Sequence, residues 1–249
     1  MSTERRLPFA AAPDAAPELV LAARALAAPL RDRGIEAVEL PDAWNRGGEP
    51  PILVLGERTE PGLMRGVLQL VLVENHLDLL RGDERIDSFA PFGPPLPPPR
   101  DPRRLLVRGG SSSRRTRMIE RTLALLEPFG IRSLCWRECP DLERPRRVDE
   151  VHTDVDAEEL TRLLSSAGVA FEPAEGPEDS TVLPPLAASC GITTVVHGAA
   201  TGAVGVVAVE AWSPDSFAEA ILGAIERGRV PAAGDAARAA DRLVEAMGP

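Results

Sequence analysis

Apolar residues along this chain follow two different spacings, which predict strands and helices in alternation. Short apolar runs such as residues 103–107 and 192–196 are typical of buried strands. Residues 116–127 and 216–227 instead carry apolar positions at helical spacing, which predicts helices that bury one face. From residue 103 onward this alternation predicts a mostly parallel sheet that is covered by helices on both faces.

The first 80 residues have a thinner pattern of the same α/β kind. Strands are predicted at residues 7–11, 35–40, 52–55 and 67–73. Helices are predicted after Asp14, as a short turn at 61–66, and from Asn75 to residue 80.

Prolines separate these two parts of the chain. Seven of them fall within residues 85–102, which favours a stiff and extended linker. The predicted organisation is therefore an N-terminal α/β domain at 1–84, a linker at 85–102 and a C-terminal domain at 103–249. The predicted fold class is α/β, with two Rossmann-like parallel-sheet units.

Composition narrows the chemistry. The 249 residues carry a net charge of −10 and contain neither Lys nor Tyr, which excludes Schiff-base and P-loop lysine chemistry. The acidic balance disfavours broad binding to nucleic acid. The sequence has no run of 18 apolar residues, so no membrane span is expected. The three cysteines, an odd number, favour a reducing cytoplasmic location.

A Gly/Ser-rich loop follows the strand at 103–107 and leads into a helix. Such a loop brings backbone amides and the positive helix end to one point, where arginine guanidinium groups suit a diphosphate. The candidate phosphate-binding residues are Arg108, Gly109, Gly110, Arg114 and Arg115. A solvated basic loop in an arginine-rich chain is the alternative.

Residues 168–196 form the second candidate region. They read as a strand, an acidic loop, a short helix that begins with Leu183 and two prolines, and a β-branched strand. Acidic loops beside helix starts, at the carboxyl ends of strands, are where open α/β sheets bind phosphorylated ligands.

The region from residue 179 to 196 resembles the nucleotide-sugar site of GT-B glycosyltransferases, especially the retaining group with an E-x7-E signature. The Leu183-Pro184 pair, the Cys190-Gly191 pair and the final β-branched strand carry the resemblance. Residues 86–91 and 208–225 are similar to two further segments of that family. The position of the family's second acid, which contacts the nucleotide ribose, is taken here by Ala187.

The resemblance implies a hexosyltransferase that moves a sugar from a nucleotide-diphosphate donor to an unknown acceptor. It also implies that the domain at 1–84 is a reduced acceptor-side domain, so that the N-terminal of the two Rossmann-like units is truncated. The nucleotide sugar is then the donor substrate, and no separate cofactor or metal is expected. Asp179 and Arg115 would be the catalytic residues. Donor contacts would come from Arg108, Gly109, Gly110, Arg114, Glu178, Ser180, Thr181 and Leu183.

Ala187 and the non-glycine residues Ser180 and Val182 keep a second hypothesis open. In this hypothesis the chain is a catalytically degenerate GT-B-like interaction module or a partner subunit of an active transferase. A nucleotide-binding regulator is a third. The sugar, the base, the stereochemical outcome and a homo-oligomeric state stay open.

Three smaller patterns receive structural interpretations. His152 and His197 are predicted at the carboxyl ends of strands, where hydrogen-bonded structural roles are favoured over acid–base roles. Cys135, Cys139 and Cys190 do not have the spacing of a standard zinc site. Residues 198–205 are interpreted as a flexible loop.

Overall fold

The computed structural model describes residues 5–12, 15–40, 53–56, 67–73, 76–109, 112–136, 145–174, 182–198 and 204–248. The chain divides into two compact units. The first comprises Met1–Pro94 and Gly234–Pro249, and the second comprises Pro95–Ala233.

The first unit is built on a six-stranded sheet. Its strands are β1 (Arg5–Ala11), β2 (Ile35–Glu39), β3 (Leu53–Leu55), β4 (Leu68–Val73), β5 (His76–Arg81) and β6 (Glu84–Phe89). Their order is β2-β1-β3-β4-β5-β6. The first four strands pair in parallel, and β5 and β6 continue the sheet as antiparallel hairpins.

Two helices, α1 (Pro17–Arg31) and α6 (Ala236–Met247), pack in this unit. Pro17 occupies the first helical position of α1, where its missing N–H costs nothing. Helix α6 was grouped by sequence with the C-terminal domain, but its apolar residues join the core of the first unit. Leu26, Leu30, Ala240 and Leu243 are among the residues of this core.

Residues 75–80 were predicted as a helix, and this is wrong because His76–Arg81 forms strand β5. Leu77 and Leu79 join the core while Asp78 lies between them on the opposite face, so the alternation is that of a strand. The residues that begin the predicted linker also form a strand, β6, since the prolines start only at Pro91.

Charged contacts attach α6 to β6. The carboxylate of Asp87 accepts hydrogen bonds from Arg238 at 3.1 Å and from Arg242 at 3.2 Å. Arg238 also lies over the Phe89 ring, 4.6 Å from its centre. The pKa of Asp87 is lowered, first by the Ser88 backbone amide and, against the effect of burial, by these two arginines.

The second unit contains a six-stranded sheet in which every pair of neighbours is parallel. Its strands are β7 (Arg104–Arg108), β8 (Arg132–Trp136), β9 (Glu150–His152), β10 (Val169–Glu172), β11 (Thr193–His197) and β12 (Val206–Val209). The order β12-β11-β10-β7-β8-β9 is the 3-2-1-4-5-6 order of doubly wound dinucleotide-binding sheets when β7 is counted as the first strand.

The described residues of this unit include four helices that cover the sheet: α2 (Ser113–Leu126), α3 (Ala157–Ser166), α4 (Leu183–Ser189) and α5 (Pro214–Arg227). Helices α2 and α5 share a core with Leu105, Val107 and Phe171. Leu106, which points to the other face, is also fully buried, and α3 and α4 contact the same central strands. The sheet is therefore covered on both faces.

The predicted fold class, α/β with two mostly parallel sheets, is confirmed. Residues 183–189 form a helix that opens on two prolines, as predicted. Asp156 caps α3, because its carboxylate accepts a hydrogen bond from the Glu159 amide at 2.8 Å.

Candidate functional site

The carboxyl ends of all six strands of the second unit lie along one edge of its sheet, because the strands are parallel. The last residues of these strands are mostly polar or aromatic, although the strands themselves are apolar. They are Arg108, Trp136, His152, Glu172, His197 and Val209.

The topological switch point lies between β7 and β10 on this edge. The chain leaves β7 towards β8 on one side and leaves β10 towards β11 on the other. Loops that diverge in this way open a crevice, and ligands of open α/β sheets bind there. Arg108 ends one of these two strands and Glu172 ends the other.

A buried ion pair, Arg115 with Glu172, lies at the switch point. Arg115 is in the first turn of α2, the helix that follows β7. Its Nη2 donates to Oε1 of Glu172 at 2.7 Å, and the side chains are only 3% and 1% exposed. The Arg115 Nε is also buried and has no hydrogen-bond partner among the described residues.

This ion pair has consequences for stability. Moving two charges out of water costs several kcal/mol per ion, which only good geometry offsets. Removal of one partner leaves the other charge buried and uncompensated. Arg115 and Glu172 therefore fix the start of α2 against the end of β10, which defines the crevice between the two loops.

Arg108 ends β7, and its side chain contacts the neighbouring strand β8 instead of β10. It stands directly opposite Trp136 in the parallel pairing of β7 with β8. The Arg108 Cζ is 5.1 Å from the centre of the Trp136 ring, and both residues are buried. This cation–π contact stabilises a buried guanidinium at the edge of the crevice.

Aromatic side chains cluster at the start of α5. Trp212 lies beside His197 in an edge-to-face arrangement, with ring centres 4.8 Å apart. The exposed Arg114, in the first turn of α2, lies over the Trp212 ring at 5.4 Å. The amino ends of α2 and α5 are thus neighbours at this edge. Ser112 and Ser213 cap these two helices through their side-chain oxygens.

His152, at the end of β9, is held by neighbouring acids. Its Nδ1 is 2.8 Å from Glu159, and its Nε2 is 3.6 Å from Glu150. The pKa of Glu159 is lowered, mainly by its hydrogen bond from Arg162, which burial opposes, and also by His152. These contacts accord with a hydrogen-bonded structural histidine at a strand end.

The structure places some of the predicted site residues at this edge, whereas others lie outside the described stretches. Arg108, Arg114 and Arg115 all lie at the carboxyl edge described above. The Gly109 amide donates to the Trp136 carbonyl at 2.8 Å, and Leu183 is fully buried at the start of α4. Five further predicted residues lie outside the described stretches: Gly110, Glu178, Asp179, Ser180 and Thr181.

Sequence reasoning missed Glu172 and the two tryptophans at this edge. Glu172 follows Val169, Ala170 and Phe171 in an otherwise apolar strand, and a carboxylate at that position was a usable signal. A charged residue that ends a buried strand needs a partner, which here is Arg115. Nothing in the sequence identified that partner.

Cys135 and Cys190 are buried, and neither forms a disulfide bond within the described residues. Burial raises the pKa of the Cys190 thiol to about 11, against weaker opposing effects of Ser189 and Arg229. Within the described stretches, no three His, Cys, Asp or Glu side chains come together in a way that could hold a metal ion.

We expect the Cys190 thiol to react with iodoacetamide at least about 100-fold more slowly in the folded chain than in urea. The rise of its pKa from 9.0 to about 11 by itself lowers the thiolate fraction about 100-fold at neutral pH. Mass spectrometry of timed samples from a Cys135→Ser, Cys139→Ser chain measures this single thiol. Equal labelling rates with and without urea would contradict the burial.

None of the helices among the described residues has both the length and the apolar character that a membrane crossing requires. Comparison of the chain with known protein families found no match, and comparison with curated proteins found none either.

Proposed function

We propose that the second unit binds a nucleotide-diphosphate sugar at the crevice between β7 and β10, and that the chain is a hexosyltransferase-like protein. The observation that carries this proposal is the buried Arg115–Glu172 pair at the switch point of a doubly wound sheet. The pair fixes a helix start that bears the exposed Arg114.

Arg114 is the cation that meets the diphosphate in this proposal. It is exposed, and it lies at the positive end of α2, where the helix dipole favours an anion. Arg115 is already bonded to Glu172 and is almost fully buried. We therefore assign Arg115 a positioning role.

The reaction is transfer of a sugar to an acceptor hydroxyl group. The bond between the anomeric carbon and the diphosphate oxygen breaks, and a bond forms to the acceptor oxygen, whose proton leaves with the diphosphate. Arg114 and the amino end of α2 favour the negative charge that develops on the leaving group. The GT-B resemblance assigns the contact with the donor sugar to Asp179.

A non-catalytic role is the second candidate, and Ala187 favours it. Ala187 stands where the family has its ribose-binding acid, and it is fully buried in α4. A chain of this kind would bind the nucleotide without transferring the sugar, as an interaction module or a partner subunit.

A thermal-shift panel with UDP, GDP, TDP, ADP and their sugars tests this proposal. We expect one diphosphate, at about 100 times its Kd, to stabilise the chain by about 2.7 kcal/mol. Arg114→Ala is expected to abolish the shift. Arg117→Ala removes another exposed cation of α2 and is expected to retain it.

The outcomes separate the candidate functions. Absence of a shift with every nucleotide at millimolar concentration would overturn the binding proposal. A shift that survives Arg114→Ala would overturn the assignment of that residue. A shift without any release of diphosphate from the matching nucleotide sugar, across a panel of acceptors, would favour the non-catalytic role.

A further inference from the structure

A second candidate ligand site lies on the first unit, on the face of the β4–β5–β6 hairpins that points away from its core. Leu77 and Leu79 of β5 contribute to the core, whereas Asp78 points to the opposite face. Its direct neighbour across the strand pairing is Val71 of β4.

A cavity of about 520 Å³ lies on this face. Its volume falls within the range of small-molecule sites. Its walls combine four apolar residues with three charged ones: Val71, Leu72, Val73, Leu80, Asp78, Asp83 and Arg85.

The carboxylate of Asp78 is the unusual feature of this cavity. Asp78 is only 8% exposed, and its Oδ1 has no hydrogen-bond partner among the described residues. His76 Nε2 lies 3.5 Å from Oδ1, and Arg85 Nη1 lies 3.9 Å from Oδ2. Both distances exceed those of ordinary hydrogen bonds. A buried carboxylate oxygen without a donor costs free energy that a ligand can recover.

The charges of the lining determine which donor suits the cavity. Two aspartates and one arginine leave an excess of one negative charge around the apolar walls. An ammonium group gains both a hydrogen bond and this Coulomb attraction, whereas a neutral hydroxyl group gains only the hydrogen bond.

We propose that this cavity binds a small primary ammonium compound with a compact apolar body. The ammonium group donates to Oδ1 of Asp78, and the apolar body lies against Val71, Val73 and Leu80. This site is on the first unit and is independent of the proposed sugar transfer.

Isothermal titration calorimetry of the full chain at neutral pH tests the proposal. The probes are cyclohexylammonium, which carries the charge, and cyclohexanol, which has the same ring without it. We expect saturable binding of cyclohexylammonium, with cyclohexanol at least about 10-fold weaker. Asp78→Asn is expected to weaken the binding of cyclohexylammonium about 10-fold. Glu84→Gln, at an exposed residue of the same hairpin outside the cavity lining, is expected to change this binding less than about threefold.

A cavity-filling variant provides an independent check. Val71→Phe, placed against Asp78, is expected to abolish binding of both probes while the circular dichroism spectrum stays unchanged. Equal binding of the two probes, unchanged binding in Asp78→Asn, or absence of saturable binding up to about 50 mM would each overturn the proposal.

Discussion

Replacement of Arg229 by alanine is expected to destabilise the second unit by about 3–5 kcal/mol. Within the part of the chain that the structure describes, the Arg229 guanidinium donates four hydrogen bonds, all to backbone carbonyl oxygens. The acceptors are Leu96 at 3.3 Å, Cys190 at 2.9 Å, Leu164 at 3.2 Å and Ala167 at 3.1 Å.

The position of these carbonyls explains the large effect. Leu164 and Ala167 lie at the carboxyl end of α3, and Cys190 caps the carboxyl end of α4. The Leu164 oxygen also accepts from the Ala167 amide, and the Cys190 oxygen also accepts from the Leu96 amide. Arg229 therefore adds a charged donor to carbonyls at two helix ends and ties three segments together. Burial lowers the pKa of Arg229, and Cys190 has a weaker opposing effect. Because the ordinary pKa of arginine is very high, the guanidinium stays charged at neutral pH.

Tryptophan fluorescence can follow this unit separately. In a Trp44→Phe background the two remaining tryptophans, Trp136 and Trp212, both belong to the second unit. Their denaturation midpoint in urea is expected to fall strongly in Arg229→Ala. Arg227→Ala removes an exposed arginine two residues away and is expected to change the free energy by less than about 0.5 kcal/mol. Equal midpoints for the two variants would contradict the role of Arg229.

The sequence predicted the second sheet well because most of its strands are apolar runs and because α2, α3 and α5 have their own side-chain caps. Asp156 is an example, since its cap depends only on residues three positions apart. Strand β5 was missed because Asn75, a typical helix-capping residue before a short apolar segment, suggests a helix. The antiparallel pairing with β4 stabilises a strand there instead.

Other features depend on contacts that no local pattern contains. The strand order, which brings β7 beside β10, places Arg115 next to Glu172 although they are 57 positions apart. Helix α6 joins the first unit through partners such as Asp87, which lies 151 positions from Arg238. The sequence therefore identified Arg115 as a candidate phosphate-binding residue, but it did not predict its ion pair with Glu172.

Single substitutions of Arg115 and Glu172, measured in a double-mutant cycle, are expected to lower the free energy of unfolding strongly. Arg115→Met and Glu172→Met are each expected to cost about 3–5 kcal/mol, because each leaves a buried charge without its partner. The double variant replaces both charges with apolar side chains and is expected to lose less than either single variant. Urea denaturation in the Trp44→Phe background measures all three.

An exposed ion pair of the same unit serves as the control for this cycle. Arg147 and Glu127 are 2.8 Å apart, but their side chains are 55% and 73% exposed. Their coupling energy is expected to be below about 1 kcal/mol, since water screens both charges. If the losses of unfolding free energy in Arg115→Met and Glu172→Met simply added in the double variant, the two charges would not stabilise each other. That result would contradict the buried ion pair.

The double variant also separates positioning from direct ligand binding. It retains Arg114 and the amino end of α2, so a positioning role for Arg115 predicts a nucleotide-induced thermal shift that is reduced but still present. Direct contact of Arg115 with the diphosphate predicts a loss as complete as in Arg114→Ala. Because the double variant is expected to stay folded, loss of its thermal shift could not be attributed to unfolding, and Arg115 would then be a ligand-binding residue.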